Sequence, residues 1–278
     1  MNLTVAQSFQ LAAVAAVVAL LLRPRLPGTS RWAAQVVVIV GLYGSWQIGL
    51  DLGVRRTTGA VEQGTRVWDV ERALHLPSEA TLQRLVLDVP GLMHGFDLYY
   101  ALVHFAAMGA LLVWLFALHR SRYGPFVLTL SLVTGAAMLI QYVPVAPPRL
   151  IPSLGVADAP AALGDSVYPP GGLADPGQLI AMPSVHVAWA LLVAIAVIRA
   201  SRHPRRWLVL AHPVLTVLAV TASGNHYWLD GAVSAGLIAL ALTGQALSSQ
   251  ALARRRSRTA SGSRRTVEGW TSTPPARS

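Results

Sequence analysis

The sequence predicts an all-α fold, a polytopic bundle of membrane-spanning helices, and three observations carry that prediction. Of 278 residues, 54% are hydrophobic and only 12% charged, where a soluble domain carries roughly 25% charged residues. The apolar residues fall in seven runs near the 20-residue length that spans a bilayer. The arginines crowd the loops on one side of those runs, which is how cytoplasmic loops are marked.

The first run, 3–22, is interrupted by Thr4, Gln7, Ser8 and Gln10. No positive charge precedes it, while Arg23 and Arg25 follow directly, the reverse of a signal peptide's flanks, so it reads as a retained span. The others are 32–52, 98–118, 126–145, 184–200, 207–222 and 229–248, the fifth and sixth of the seven being short for a full crossing. With alternating sides, 16 arginines against the single acid Glu268 lie on one side, in the loops after the first, third and fifth runs and in the C-terminal tail. The other side holds Arg55, Arg56, Arg66, Arg72, Arg84 and Arg149, with the remaining 11 acids in its loops or at adjoining helix ends. The N-terminus and the loops 53–97, 146–183 and 223–228 are therefore expected outside, the tail inside. The net charge of +10 is then a topology signal, and no nucleic-acid partner is expected.

Residues 53–97 mix charge with helical apolar spacing, such as Val61, Trp68, Leu82 and Leu85, and Pro77-Ser78 divides them, Ser78 being a candidate N-cap. They read as two amphipathic helices on the outer interface, either a structural collar or a substrate lid. Residues 249–278, rich in Arg, Ser, Thr and Pro, read as a disordered basic tail that meets anionic lipid. The domain plan is thus 1–31 (first span and basic loop), 32–248 (membrane domain) and 249–278 (tail).

The chemistry available is narrow. There is no cysteine and the 22 basic residues are all arginine, which excludes thiolate sites, lysine Schiff bases and a phosphate-loop lysine. No His and carboxylate cluster with metal-ligand spacing is present, so neither a metal nor another cofactor is expected. Three elements remain, all at the outer ends of spans. Pro183-Ser184-Val185-His186 opens the fifth run; a helix N-terminus there offers free N–H groups to an anion, with a hydroxyl and an imidazole beside them. Asn225-His226-Tyr227-Trp228-Leu229-Asp230 opens the seventh. His226 and Asp230, at i and i+4, share a helix face, where a carboxylate can fix the imidazole's tautomer. Tyr142-Val143-Pro144-Val145-Ala146-Pro147-Pro148-Arg149 closes the fourth and holds one guanidinium at the surface. His104, inside the third run, is the other intramembrane ionisable group; it either orients a site residue or bonds a neighbouring helix.

These three elements resemble the signature of the type 2 phosphatidic acid phosphatase superfamily. Pro183-Ser184-Val185-His186 is similar to its second motif with Val for Gly, His226 and Asp230 to the end of its third, and Arg149 to the arginine of its first. Tyr142 stands at the first-motif lysine, Leu150 at the following proline, and Ala219-Val220 at the third-motif Ser-Arg. That pattern, with Asp69–Leu74, Tyr99-Tyr100 and His104, is more similar to the branch of inositol phosphorylceramide synthases. The resemblance implies a six-helix core over 32–248 preceded by an extra N-terminal helix, and metal-free phosphoryl transfer through a phosphohistidine. In it His226 is the nucleophile, Asp230 orients it and His186 protonates the leaving oxygen. Arg149, Ser184 and the helix N–H groups hold the phosphate, with Tyr142 or Asn225 replacing the missing cations. The implied substrate is a phospholipid or prenyl phosphate in the outer leaflet, acted on by a phosphatase or a phosphotransferase. The competing expectation is a transporter or scaffold that keeps the fold without chemistry. Oligomeric state is not legible.

Overall fold

The computed structural model describes residues 57–164 and 172–271, together with Val37, Gly41 and Gly44. The first apolar run, and the second apart from those three positions, lie outside the described residues. Among the described residues the chain is helical and contains no strand; a single parallel bridge joins Val145 and Ile180. The helices are α1 (Ala60–Ala73), α2 (Glu79–Leu87), α3 (Leu92–Leu118), α4 (Arg120–Ile140), α5 (Ala159–Leu163), α6 (Val185–Ala200), α7 (Ala211–Ala222) and α8 (Trp228–Thr271).

Three of them, α3, α4 and α8 over Trp228–Ala251, are long and apolar enough to cross a bilayer, and α6 is a shorter apolar helix. Leu102, Phe105, Val113, Leu132, Leu139 and Leu240 are exposed on these helices, the surface that lipid tails cover without penalty. α6 sits at the centre and touches α3, α4, α7 and α8. Leu111 and Leu115 of α3, Leu130 and Val133 of α4, Leu192 and Val193 of α6 and Ile238 of α8 form the main core.

Several boundaries move from those the apolar runs suggest. α3 begins at Leu92, six residues before the apolar run, because Gly91 (φ 77°) starts the helix and Asp97 is buried within it; a charge ends an apolar run but not a helix. α4 begins at Arg120 and ends at Ile140. Its first turn is basic because Arg122 donates to the Arg199 carbonyl and Arg120 Nε to Phe116 O (3.3 Å), the cations serving carbonyls at the ends of two helices. The sixth run divides into a 3₁₀ segment, Pro204–Leu210, and α7. Pro213 falls in the first turn of α7, where its missing N–H has no intrahelical acceptor to lose. α8 continues to Thr271, through residues whose composition reads as a disordered tail; the Ala, Arg and Gln there are good helix formers. Residues 272–278 lie outside the described residues. Ser78 has the backbone of an N-cap (φ −75°, ψ 130°) but its hydroxyl makes no capping bond.

The two helices of the 53–97 region are tied to the bundle by buried contacts. Ala60, Gly64 and Glu71 are buried along one face of α1, a spacing that a helix brings into line. A Cβ on Gly64 would lie 2.6 Å from Ala146 O and 2.7 Å from Tyr227 Oη, so only glycine lets α1 approach so closely. Glu71 Oε1 accepts the N–H of Leu229 in the first turn of α8 at 2.7 Å. From α2, Gln83 Nε2 donates to Ala157 O (2.9 Å) and Ala222 O (3.0 Å), and its Oε1 accepts from Ala157 N (2.8 Å).

Glu71 and Glu79 are both fully buried (0% exposed), and Arg72 Nη2 lies 3.3 Å from Glu79 Oε2. Burial, then a hydrogen bond with Glu71, pushes Glu79 from the usual 4.5 up to about 8, against the pull of Arg72. A folded-state value raised above the unfolded one means that the folded state holds the extra proton. The stability from protonated Glu79 is therefore complete below about pH 4.5 and is lost as pH rises through about 8. Thermal unfolding in detergent should show a midpoint that falls across this window, and Glu79→Gln should flatten that slope. An unchanged slope in the variant would place the dependence elsewhere.

Candidate active site

The site forms where three irregular segments meet at the ends of α4, α6 and α8, stitched together by backbone. Val145 N donates to Leu179 O (2.8 Å) and Ala181 N to Val145 O (3.1 Å), joining the Arg149 segment to the lead-in of α6. Arg149 N donates to Gly224 O (3.1 Å), and Tyr227 Oη to Ala146 O (2.8 Å), joining it to the lead-in of α8. Burial, then the Asp230, Glu71 and Glu79 carboxyl groups, pushes the Tyr227 hydroxyl far above a phenol's usual range, so it remains a donor. Ser234 Oγ donates to Ser184 O at 2.8 Å, holding the start of α6 against α8.

His226 is buried at the junction. Its Nδ1 lies 2.6 Å from Ala181 O and 2.9 Å from Asp230 Oδ2. Both partners are acceptors, so Nδ1 carries a proton, and in a neutral imidazole the lone pair then lies on Nε2. Asp230 is fully buried, and its Oδ2 also accepts from Tyr227 N at 2.9 Å.

His186, in the first turn of α6, has its ring centroid 5.8 Å from that of His226. Tyr100 (4.3 Å) and His104 (4.6 Å) pack against the same ring, and His104 stacks on Trp189 at 5.2 Å with 17° between planes. Tyr100 and His104 reach His186 together because Tyr99–Val103 is a π-helical turn inside α3. The extra residue re-aims neighbouring side chains, as such turns often do at functional sites. Nδ1 of both His104 and His186 is buried without a hydrogen-bond partner among the described residues.

Arg149 is buried and committed on all three nitrogens. Nε donates to Asn225 Oδ1 (2.8 Å), Nη1 to Asp158 Oδ2 (2.8 Å) and Nη2 to Gln178 Oε1 (2.9 Å). Asn225 Nδ2 in turn donates to Ser223 Oγ (2.8 Å).

His226, Asp230, His186, Arg149, Asn225 and Ser184 are thus drawn to one junction, with His104 beside His186. Asn225 spends its amide orienting Arg149. Ser184 is fully buried and caps α6 by accepting from Val187 N at 3.3 Å. Tyr142 is half-buried after α4 and makes no side-chain hydrogen bond to this cluster; its neighbour Gln141 does, donating to Pro183 O at 3.1 Å. Residue type and spacing single out neither Asp158 nor Gln178 nor the Ala181 carbonyl, and Tyr100 and Glu71 stand out only within the stretches that carry the family resemblance. A backbone acceptor leaves no trace in side-chain identity, and a lone Asp or Gln in a loop is not distinguished from solvated ones. Among the described residues no group of three or more His, Cys, Asp or Glu is disposed to hold a metal ion.

The fold is thus helical, with three helices long and apolar enough to cross a membrane, and it brings two imidazoles, a carboxylate and a guanidinium to one junction. The chain belongs to the PAP2 superfamily, whose family model matches residues 65–244. Its members are generally phosphoesterases or phosphotransferases. No curated protein and no solved structure matches the chain.

Gly224 sits between His226 and the Arg149 backbone with φ +72°, and a Cβ there would lie 2.7 Å from Val156 Cγ1 and 3.0 Å from Arg149 Cβ. Gly155, at φ +69°, has open space around it. Gly155→Ala should cost roughly 1–2 kcal/mol through backbone strain alone. Gly224→Ala should cost about 1–3 kcal/mol more through overpacking. Comparative unfolding of the two variants checks this; equal losses would mean that the Gly224 contact relaxes freely.

Proposed function

We propose that the chain is a multi-pass membrane enzyme that cleaves phosphate esters of lipids through a phosphohistidine on His226, as a phosphatase or a phosphotransferase. The observation that carries the reading is the His226 Nδ1–H between two acceptors, which in the neutral ring puts the nucleophilic lone pair on Nε2, beside a second imidazole. In the proposed arrangement residues 32–248 form the six-helix core, the first apolar run adds an N-terminal span, and the site faces the outer leaflet. The charge distribution over the loops supports that orientation.

Nε2 of His226 attacks phosphorus, forming a P–N bond as the bond from phosphorus to the alcohol or phosphate leaving group breaks. His186 gives its ring proton to the departing oxygen. The imidazolium character that grows on His226 is stabilised by Asp230 through Nδ1. The equatorial oxygens lie against the N-terminus of α6, whose first-turn N–H groups have no intrahelical acceptor, with Ser184 shaping that turn and Arg149 beside it. In the second step water, or an acceptor alcohol, attacks phosphorus and loses its proton to His186, while the P–N bond breaks and restores His226. From a phosphomonoester, water gives free phosphate and an alcohol a new monoester; from a phosphodiester, water gives a phosphomonoester and an alcohol a new phosphodiester. His104 and Tyr100 fix the His186 ring, and the reading takes no metal or other cofactor.

Purified protein in detergent, with chelator present, tests this on a lipid phosphate, a prenyl diphosphate and labelled phosphatidylinositol, with and without alcohol acceptors. His226→Ala should abolish turnover and prevent formation of an acid-labile labelled protein while the protein still melts cooperatively. His186→Ala should slow turnover by roughly 10²–10⁴-fold, and by much less on a p-nitrophenyl ester, whose leaving group needs no proton. Full activity in His226→Ala would remove the nucleophile assignment.

A further inference from the structure

We propose that Asp158 is a charge filter on the site: by pairing with Arg149 it disfavours a doubly charged phosphomonoester and leaves a singly charged phosphodiester as the better ligand. This deepens the phosphate-ester reading above and rests on it.

Among the described residues Arg149 is the arginine at the junction of the three site segments, in a chain without lysine. The positions where the resembling family carries its other cations hold Tyr142 and Val220. The guanidinium's partners include two neutral amides and one full negative charge, Asp158, at 2.8 Å. The side chain of Arg149 is 3% exposed and that of Asp158 31%, so the carboxylate occupies the more open flank of the guanidinium. Behind Gln178 stands a second carboxylate, Asp175, whose Oδ2 accepts from Gln178 Nε2 at 3.2 Å. Asp230 adds a third negative charge beyond His226. An incoming phosphate therefore meets a guanidinium already neutralised, with carboxylates around it. It either displaces Asp158 from Nη1 or lies beside it, and in both cases each additional negative charge on the ligand is opposed at short range in a partly desolvated place. A diester brings one such charge and a monoester above its second ionisation, near 6, brings two.

Asp158 also accepts weakly from Ala161 N (3.4 Å) at the start of α5, so a purely structural role must be separated from an electrostatic one. Asp158→Asn does this, because the amide oxygen preserves an acceptor while the charge is lost. Binding is read in the His226→Ala background, which removes turnover, at about pH 8, where a monoester is doubly charged. The probes are dihexanoyl phosphatidate and dihexanoyl phosphatidylglycerol, and the readout is titration calorimetry in detergent.

Asp158→Asn should tighten phosphatidate binding by about tenfold or more while moving phosphatidylglycerol by about twofold or less. With Asp158 in place, phosphatidylglycerol should bind more tightly than phosphatidate. An Asp158→Asn protein whose two affinities change equally, or whose phosphatidate affinity is unchanged or weaker, overturns the proposal. So does tighter binding of phosphatidate by the protein that retains Asp158, a comparison that holds even if the substituted chain does not fold. The enzyme reading fails separately: a selectivity that shifts as expected in a chain without His226-dependent turnover keeps the filter and removes the reaction. Turnover that depends on His226 with an unmoved affinity ratio does the reverse.

Discussion

The site depends on one shared proton, the Nδ1–H of His226 held between Ala181 O and Asp230 Oδ2. An imidazole can present a lone pair at Nε2 only if its proton is kept at Nδ1, and a fully buried carboxylate is tolerated only where hydrogen-bond donors reach it. Each condition meets the other's need. Asp230 gains the imidazole and the Tyr227 N–H, while His226 gains its tautomer. Because one acceptor is a backbone carbonyl, the lead-in to α6 must run at a fixed height beside α8. The Val145–Ile180 bridge, Ser234 and Gln141 all act on that height.

That arrangement places irregular backbone next to membrane-length helices, a setting in which unpaired N–H and C=O groups are costly unless protein covers them. The cover comes from α1 and α2. Gly64 lets α1 reach the Ala146 carbonyl and the Tyr227 hydroxyl, Glu71 serves the N–H of Leu229, and Gln83 satisfies both polar groups of Ala157 and the carbonyl of Ala222. Charge enters these buried contacts as a local cluster, Arg72 between two carboxyl groups and over the Trp68 ring at 4.7 Å. Neither helix is joined to the bundle by apolar packing alone.

Arg149 shows the same economy with charge. In a chain with no lysine, the buried guanidinium of Arg149 meets a carboxylate and two amides, so its three nitrogens organise the loops from Asp158, Gln178 and Asn225 around it. The partners that fix its position also set the local charge, and any ligand at Arg149 meets both effects together.

Much of this could be read without coordinates. The charge distribution and the apolar runs were enough for a helical membrane bundle, because hydrophobic length and arginine placement are local properties. The pairs His226–Asp230 and Ser184–His186 were legible as i, i+4 spacing and as a helix start. The limits of α3 and α4 were not, since Asp97 and the first-turn arginines interrupt an apolar run without interrupting a helix. Nor were the Ala181 carbonyl, the Glu71 contact to Leu229 or the Asp158 pairing of Arg149. In each of these the partner is either a backbone atom or a polar side chain distant in sequence, and only folding makes it a neighbour. Residue type and spacing by themselves decided which groups could do chemistry here. The tertiary structure decided which nitrogen of His226 keeps its proton and what Arg149 is paired with, because hydrogen-bond partners are chosen by distance in space.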